Sequence, residues 1–125
     1  VMSMPATGEI IFTRGDEVVI VTNDGVTRDA KTTLPGDDGK KLLVLPGSFY
    51  KYFELSPDAY DRFDLRQMGC TAGDITYTAL GRSDGTFTHG HLWDIVGAAA
   101  IAAKMGVRFF NLATGEPKLG FKADD

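Results

Sequence analysis

One cysteine, one tryptophan and two histidines are all that 125 residues hold of those types. A lone cysteine, Cys70, excludes an internal disulfide and fits a reducing compartment, so a cytoplasmic location is expected. With so few Cys and His residues there is no tetrahedral set for a structural zinc. A surplus of positive charge is missing too. Thirteen Lys and Arg stand against seventeen Asp and Glu, a net charge of -4, which argues against nucleic-acid or anionic-membrane partners. No apolar run reaches the length of a bilayer span, and internal repeats and low-complexity tracts are absent. The start carries no signal or transit pattern. It opens at Val1 in strand-like sequence, from which we expect an excised piece of a longer protein. The length suits one domain, 1–125, with enough apolar content for a core.

What is present reads as alternating strands and helices. Val1–Met4 and Glu9–Thr13 flank the turn residues Pro5-Ala6-Thr7-Gly8, a hairpin pattern. Arg14-Gly15-Asp16 is a tight turn in front of the β-branched run Glu17–Thr22, and Asn23-Asp24-Gly25 ends that run. The stretch 28–40 is polar and reads as an exposed connection, with Pro35, Gly36, Asp37, Asp38 and Gly39 clustered in it. Lys41–Leu45 is a continuous apolar run, as expected of a covered strand in a mostly parallel sheet. Tyr50–Phe63 reads as helix, with Pro57 in a helix-start position. Leu65–Met68 is a short strand, and a helix follows from near Cys70, where Thr71 and Asp74 have capping-box spacing. Thr86–Thr88 and Val107–Leu112 are further strands. The expected fold class is therefore α/β, a layered domain with a mixed, largely parallel sheet flanked by helices.

Between the last two strands lies the most apolar segment, Ile95 to Met105, where only Lys104 is charged. Its alanines allow close backbone approach, so we expect a helix covered on most of its circumference. Gly106 occupies the place of a C-terminal glycine cap. Asp94, at its mouth, has two readings: a cap for free backbone N–H groups, or a metal ligand or base at the edge of a cleft.

Three loops then fall at corresponding ends of elements: Gly47-Ser48, Gly69-Cys70-Thr71 and Trp93-Asp94. In open α/β sheets such ends form the ligand crevice, and helix N-termini there present N–H groups to anions. A hydroxyl, a set of N–H groups and a carboxylate suit a small phosphate ester.

The blocks Leu65–Ala72, Ala79-Leu80-Gly81-Arg82-Ser83-Asp84-Gly85 and Trp93-Asp94-Ile95-Val96-Gly97-Ala98 resemble, in content and spacing, the C-terminal half of the inositol monophosphatase family. The resemblance runs from Val1 to about Phe121 and includes a Pro-x-x-Gly-Glu hairpin. It implies the C-terminal part of a two-domain, magnesium-dependent phosphomonoesterase that hydrolyses a sugar, inositol or nucleotide phosphate by metal-activated water. It further implies a magnesium ligand at Asp94, substrate contacts at Ser48, Gly69, Cys70 and Thr71, and a homodimer. His89 stands near this site as a further substrate-side candidate.

The sequence also departs from that pattern. The family's paired glutamates and its Asp-Pro-Ile/Leu-Asp-Gly-Thr block do not occur here, so the water-activating acids are missing and the isolated segment is expected to be inactive. Thr88 and His89 stand where inositol phosphatases carry a glutamate for sugar hydroxyls. Cys70 replaces the usual hydroxyl residue, and a thiol is a weaker donor. Two other readings are a non-catalytic domain of the same fold that binds a phosphorylated ligand or serves assembly, and a thiol hydrolase with Cys70 as nucleophile and His89 as base. Glu54, Asp58, Asp61 and Asp64 read as a solvated acidic face.

Overall fold

The computed structural model describes residues 1–36, 39, 41–118, 120 and 121; the Asp37 and Asp38 of the expected connection lie outside them. Strands β1 (Met2–Met4) and β2 (Glu9–Arg14) form the expected hairpin, with Met4 opposite Glu9. Its turn closes by a Thr7 N–H to Met4 carbonyl bond of 3.1 Å. Strand β3 (Glu17–Thr22) returns antiparallel around Gly15, whose φ of 58° lies in the left-handed region that glycine tolerates. The period-2 pattern sorts β3 cleanly: Val18 and Ile20 enter the main core, while Val19, opposite Phe12, turns to the other face.

A third antiparallel pairing adds β4 (Thr27–Asp29), followed by a 3-10 turn at Ala30–Thr33. The polar stretch expected to be only a connection thus begins with an edge strand. Polarity hid it, because an edge strand with exposed Thr27 and Arg28 needs no apolar face.

The second sheet has β5 (Lys41–Val44) at its centre, flanked by β6 (Phe63–Arg66) and β7 (Gly85–Thr86), all parallel. The α/β class is therefore observed, with a correction to its layout. Among the described residues the strands do not join one largely parallel sheet; they divide into a four-stranded antiparallel sheet, a three-stranded parallel one and a two-stranded antiparallel hairpin. Hairpin-length turns can join only antiparallel neighbours, and the first three strands have nothing longer between them.

The crossover from β5 to β6 carries two short helices, α1 (Phe49–Tyr52) and α2 (Pro57–Arg62), where one helix was expected. Pro57 fixes the start of α2, and the residue before a proline is pushed out of helical space, as the extended ψ of 149° at Ser56 shows. Helix α3 (Thr71–Ala79) links β6 to β7, and α4 (Leu92–Lys104) leads to the small hairpin β8 (Phe109–Phe110) and β9 (Pro117–Lys118).

Helices α3 and α4 pack on each other and on the antiparallel sheet, and α3 also touches β7. Ile11, Val18, Ile75 and Ile101 meet there, each fully buried or nearly so, and burying one such side chain contributes about 1.5–3 kcal/mol. Helix α4 buries Ile95, Ala98, Ala99, Ile101 and Ala102. Its other side, with Val96, Gly97, Ala100 and Ala103, is exposed, so the expected all-round cover is not observed within this chain. The C-terminus closes as expected. Gly106 has a φ of 80°, its N–H reaches the Ala103 carbonyl, and the Val107 N–H reaches that of Ala102, the pairing of a Schellman motif. Among the described residues no helix is long and apolar enough to cross a membrane.

Candidate functional site

Parallel pairing carries the loops after β5, β6 and β7 to one end of their sheet, and these loops hold the residues singled out in the sequence. After β5 the chain runs through buried Pro46 to Ser48 at the head of α1. After β6 it reaches Gly69, Cys70 and Thr71 at the head of α3; after β7 it reaches His89, Gly90 and His91 at the head of α4. Gln67 comes within 3.5 Å of the Pro46 carbonyl, joining the first two loops. Phe49 packs on Phe87 with ring centroids 5.0 Å apart, and Tyr52 stacks on His89 at 5.4 Å, so α1 lies along the third.

At the head of α3, Gly69 takes a φ of 73° and Cys70 occupies the cap position. The Cys70 sulfur accepts a hydrogen bond from the Gly73 N–H at 3.4 Å. Glycine at 73 makes room for it, since a Cβ there would stand 3.3 Å from that sulfur. Thr71 and Asp74 do not form the expected capping box, because the helix starts one residue earlier than that pattern needs. His89 is engaged with Tyr52, and no described contact joins it to Cys70.

Helix α4 begins at Leu92, with His91 in the cap position and no side-chain cap bond. Asp94 is the third helical residue, exposed, and its N–H bonds the His91 carbonyl at 2.9 Å. The capping account of Asp94 is thus replaced by a carboxylate in the first turn, where the helix dipole favours negative charge. A Cβ built on Gly90 would lie 3.5 Å from Thr71 Oγ1 and 3.6 Å from Asp94 Oδ2. One small gap, bare because residue 90 is glycine, is therefore flanked by a hydroxyl and a carboxylate from the heads of two helices. Ser48 sits on the neighbouring loop, its hydroxyl making no cap bond, and no described contact joins it to this pair.

Two features of this region were not legible as functional in the sequence. Asp74, one turn into α3, is 2% exposed and its Oδ1 has no hydrogen-bond partner among the described residues. Burial raises its pKa from the ordinary 3.8 to about 6, as expected for a carboxyl group cut off from water. The signal was present as an acid beside Ile75 in an apolar stripe. The second feature is a pair of ring stacks, Tyr52 on His89 and His91 on Trp93, on either side of Gly90.

A cavity of about 760 Å³ opens next to the site, between the β7 segment and the β8–β9 hairpin. Thr88 and His89 line it; Ser48, Cys70, Thr71 and Asp94 do not. Gly90 lines a second cavity of about 410 Å³ together with Leu92 and Phe110, and neither Thr71 nor Asp94 lines that one.

Chemically, two helix N-termini, a hydroxyl and a carboxylate can hold the phosphate end of an ester through N–H and O–H donors. The carboxylate repels that anion unless a cation or proton stands between them. The donors present do not by themselves fit a resident magnesium ion. Magnesium demands near-octahedral oxygen coordination, and no described group of three or more His, Cys, Asp or Glu is placed to hold a metal. Comparison of the chain with protein-family models, with characterised proteins and with solved structures finds no match.

Proposed function

We propose that this chain holds the substrate side of a magnesium-dependent phosphomonoesterase acting on a small phosphate ester. One observation carries the reading: Thr71 Oγ1 and Asp94 Oδ2 flank the same bare position, Gly90, at the end of the parallel sheet where three loops gather. The resemblance of the Gly-Cys-Thr and Trp-Asp blocks to the inositol monophosphatase family supports it. On this reading Thr71 and the N–H groups at the head of α3 orient the phosphate, Ser48 and His89 border it, and Asp94 contributes one oxygen ligand to magnesium. Phosphate oxygens and waters supply the remaining ligands, while the water-activating acids come from a second polypeptide segment, so this chain alone binds the anion with magnesium but turns over little substrate. A homodimer and a cytoplasmic setting belong to the same proposal.

The second reading, a non-catalytic domain that binds a phosphorylated ligand, is favoured by the single carboxylate at the gap. Titration calorimetry with inorganic phosphate, with and without magnesium, tests the pair. The first reading expects phosphate binding strengthened by magnesium, and loss of that strengthening in Asp94→Asn. Phosphate binding indifferent to magnesium selects the second reading, and no phosphate binding under either condition removes both.

A further inference from the structure

The ring stacks beside Gly90 say something about the rest of the ligand. His91 lies on Trp93 with centroids 4.4 Å apart and planes 17° from parallel. His89 lies on Tyr52 at 5.4 Å and 23°. The second contact joins residues 37 positions apart, so it is a product of the fold rather than of neighbouring sequence. Each imidazole covers one face of its partner and fixes that ring's orientation. Yet Trp93 remains 74% exposed and Tyr52 56%. Flat rings held in place with surface left in water offer stacking area at little entropic cost. The two imidazoles that hold them belong to the residues on either side of Gly90, the position that Thr71 Oγ1 and Asp94 Oδ2 approach.

We propose that the alcohol part of the phosphate ester bound here carries a flat aromatic or heteroaromatic ring, and that this ring stacks on the rim formed by Trp93 and Tyr52. The inference rests on the phosphate-ester reading and adds the chemical class of the leaving group to it. A sugar or polyol offers C–H faces and hydroxyls. A small polyol such as glycerol covers little of these ring faces, whereas a flat ring covers a whole face. Stacking tolerates any flat ring, whereas hydrogen-bond readout would select one base.

Trp93 is the chain's single tryptophan, so its fluorescence reports the rim directly. Adenosine monophosphate, phenyl phosphate, glycerol 2-phosphate and inorganic phosphate would be titrated into the full chain, followed by fluorescence and calorimetry. The two ring-bearing esters should bind about tenfold or more tighter than glycerol 2-phosphate and should quench Trp93. Calorimetry on Trp93→Ala and Tyr52→Ala, each checked for native circular dichroism, should show ring-bearing esters reduced toward the glycerol 2-phosphate affinity. Equal affinities for all three esters, with Trp93 emission unmoved, overturn this inference and leave the phosphate-ester reading standing. Absence of binding by every phosphate, inorganic phosphate included, overturns both.

Discussion

Thr71 and Asp94, 23 residues apart in the chain, both approach Gly90, with Oγ1 and Oδ2 at 3.5 and 3.6 Å from the point where a side chain would begin. Both distances are ordinary van der Waals contact, so a Cβ fits without moving the backbone. The further methyl groups of valine add bulk beyond a Cβ that already touches both oxygens. Gly90→Val should therefore keep the fold and lower the affinity for inorganic phosphate by about tenfold or more, a cost of about 1.4 kcal/mol. Calorimetric titration alongside a thermal melt measures both; unchanged affinity in a folded variant would place the anion elsewhere.

Asp74 sets a pH dependence. Its folded pKa of about 6 lies above the ordinary 3.8 because burial disfavours the charged form. Between those values the native chain holds a proton that the unfolded chain has released, so stability falls as pH rises through this window and is lowest above it. Asp74→Asn removes that slope. The variant should be more stable than the parent near neutral pH by up to about 3 kcal/mol, and by little near pH 4. Urea unfolding at both pH values decides it, and parallel stability curves for the two proteins would refute the assignment.

Glu9 and Arg82 act in the opposite direction. Two guanidinium nitrogens of Arg82 bond the two Glu9 oxygens, tying the first hairpin to the loop after α3. That hydrogen bonding holds the Glu9 carboxyl below its usual range, with partial burial opposing. A lowered folded pKa gives stability that is present above the unfolded value and lost as pH falls through the folded one. Glu9→Gln should cost about 2 kcal/mol at neutral pH by leaving a half-buried guanidinium without its counter-charge. In the Glu9→Gln/Arg82→Met double variant the cost should be smaller than the sum of the two single ones, as a double-mutant cycle would show.

Two glycines, one inside α4 and one just past its end, should respond with opposite signs. Gly106 has a φ of 80°, and Gly97 lies within α4; a Cβ on either meets nothing within 4 Å. Space is therefore not the issue at either one. Gly106→Ala forces alanine into left-handed space, at about 1–2 kcal/mol. Gly97→Ala replaces a poor helix former by the best, a gain of about 0.5–1 kcal/mol. Thermal melts of the pair measure both, and equal signs would contradict the backbone account.

Cys70→Ser should not harm the fold. Sulfur is a weak acceptor for the Gly73 N–H, and serine ranks among the preferred helix caps. Stability should hold or rise by a few tenths of a kcal/mol, within the usual range of capping effects. Any magnesium-dependent phosphate binding should persist. Loss of phosphate binding in the folded variant would return the thiol to the centre of the site.

Much of the fold was legible because it is written in local pattern. The hairpins around Pro5–Gly8 and Gly15, the strand at Lys41 and the helix ending at Gly106 each follow from turn chemistry or apolar period. Strand β4 and the break between α1 and α2 escaped, because an exposed edge strand has no apolar signature and a run of aromatics fits either period. The candidate site was legible as three loops. Asp74 was passed over as a capping partner, since one residue of offset in the helix start turns a cap into a buried acid.

By itself the sequence determined the α/β alternation, the small-residue helix and the residue types at its head, because period, turn residues and composition act over a few neighbouring positions. Only the tertiary structure decided that the first seven strands split into an antiparallel and a parallel sheet, with a small separate hairpin after them. It also decided that Thr71 and Asp94 share one gap, that Glu9 answers Arg82, and that Tyr52 lies on His89. Each of these joins residues far apart in the chain, and such pairs meet only when burial of the common core fixes how the helices and sheets pack.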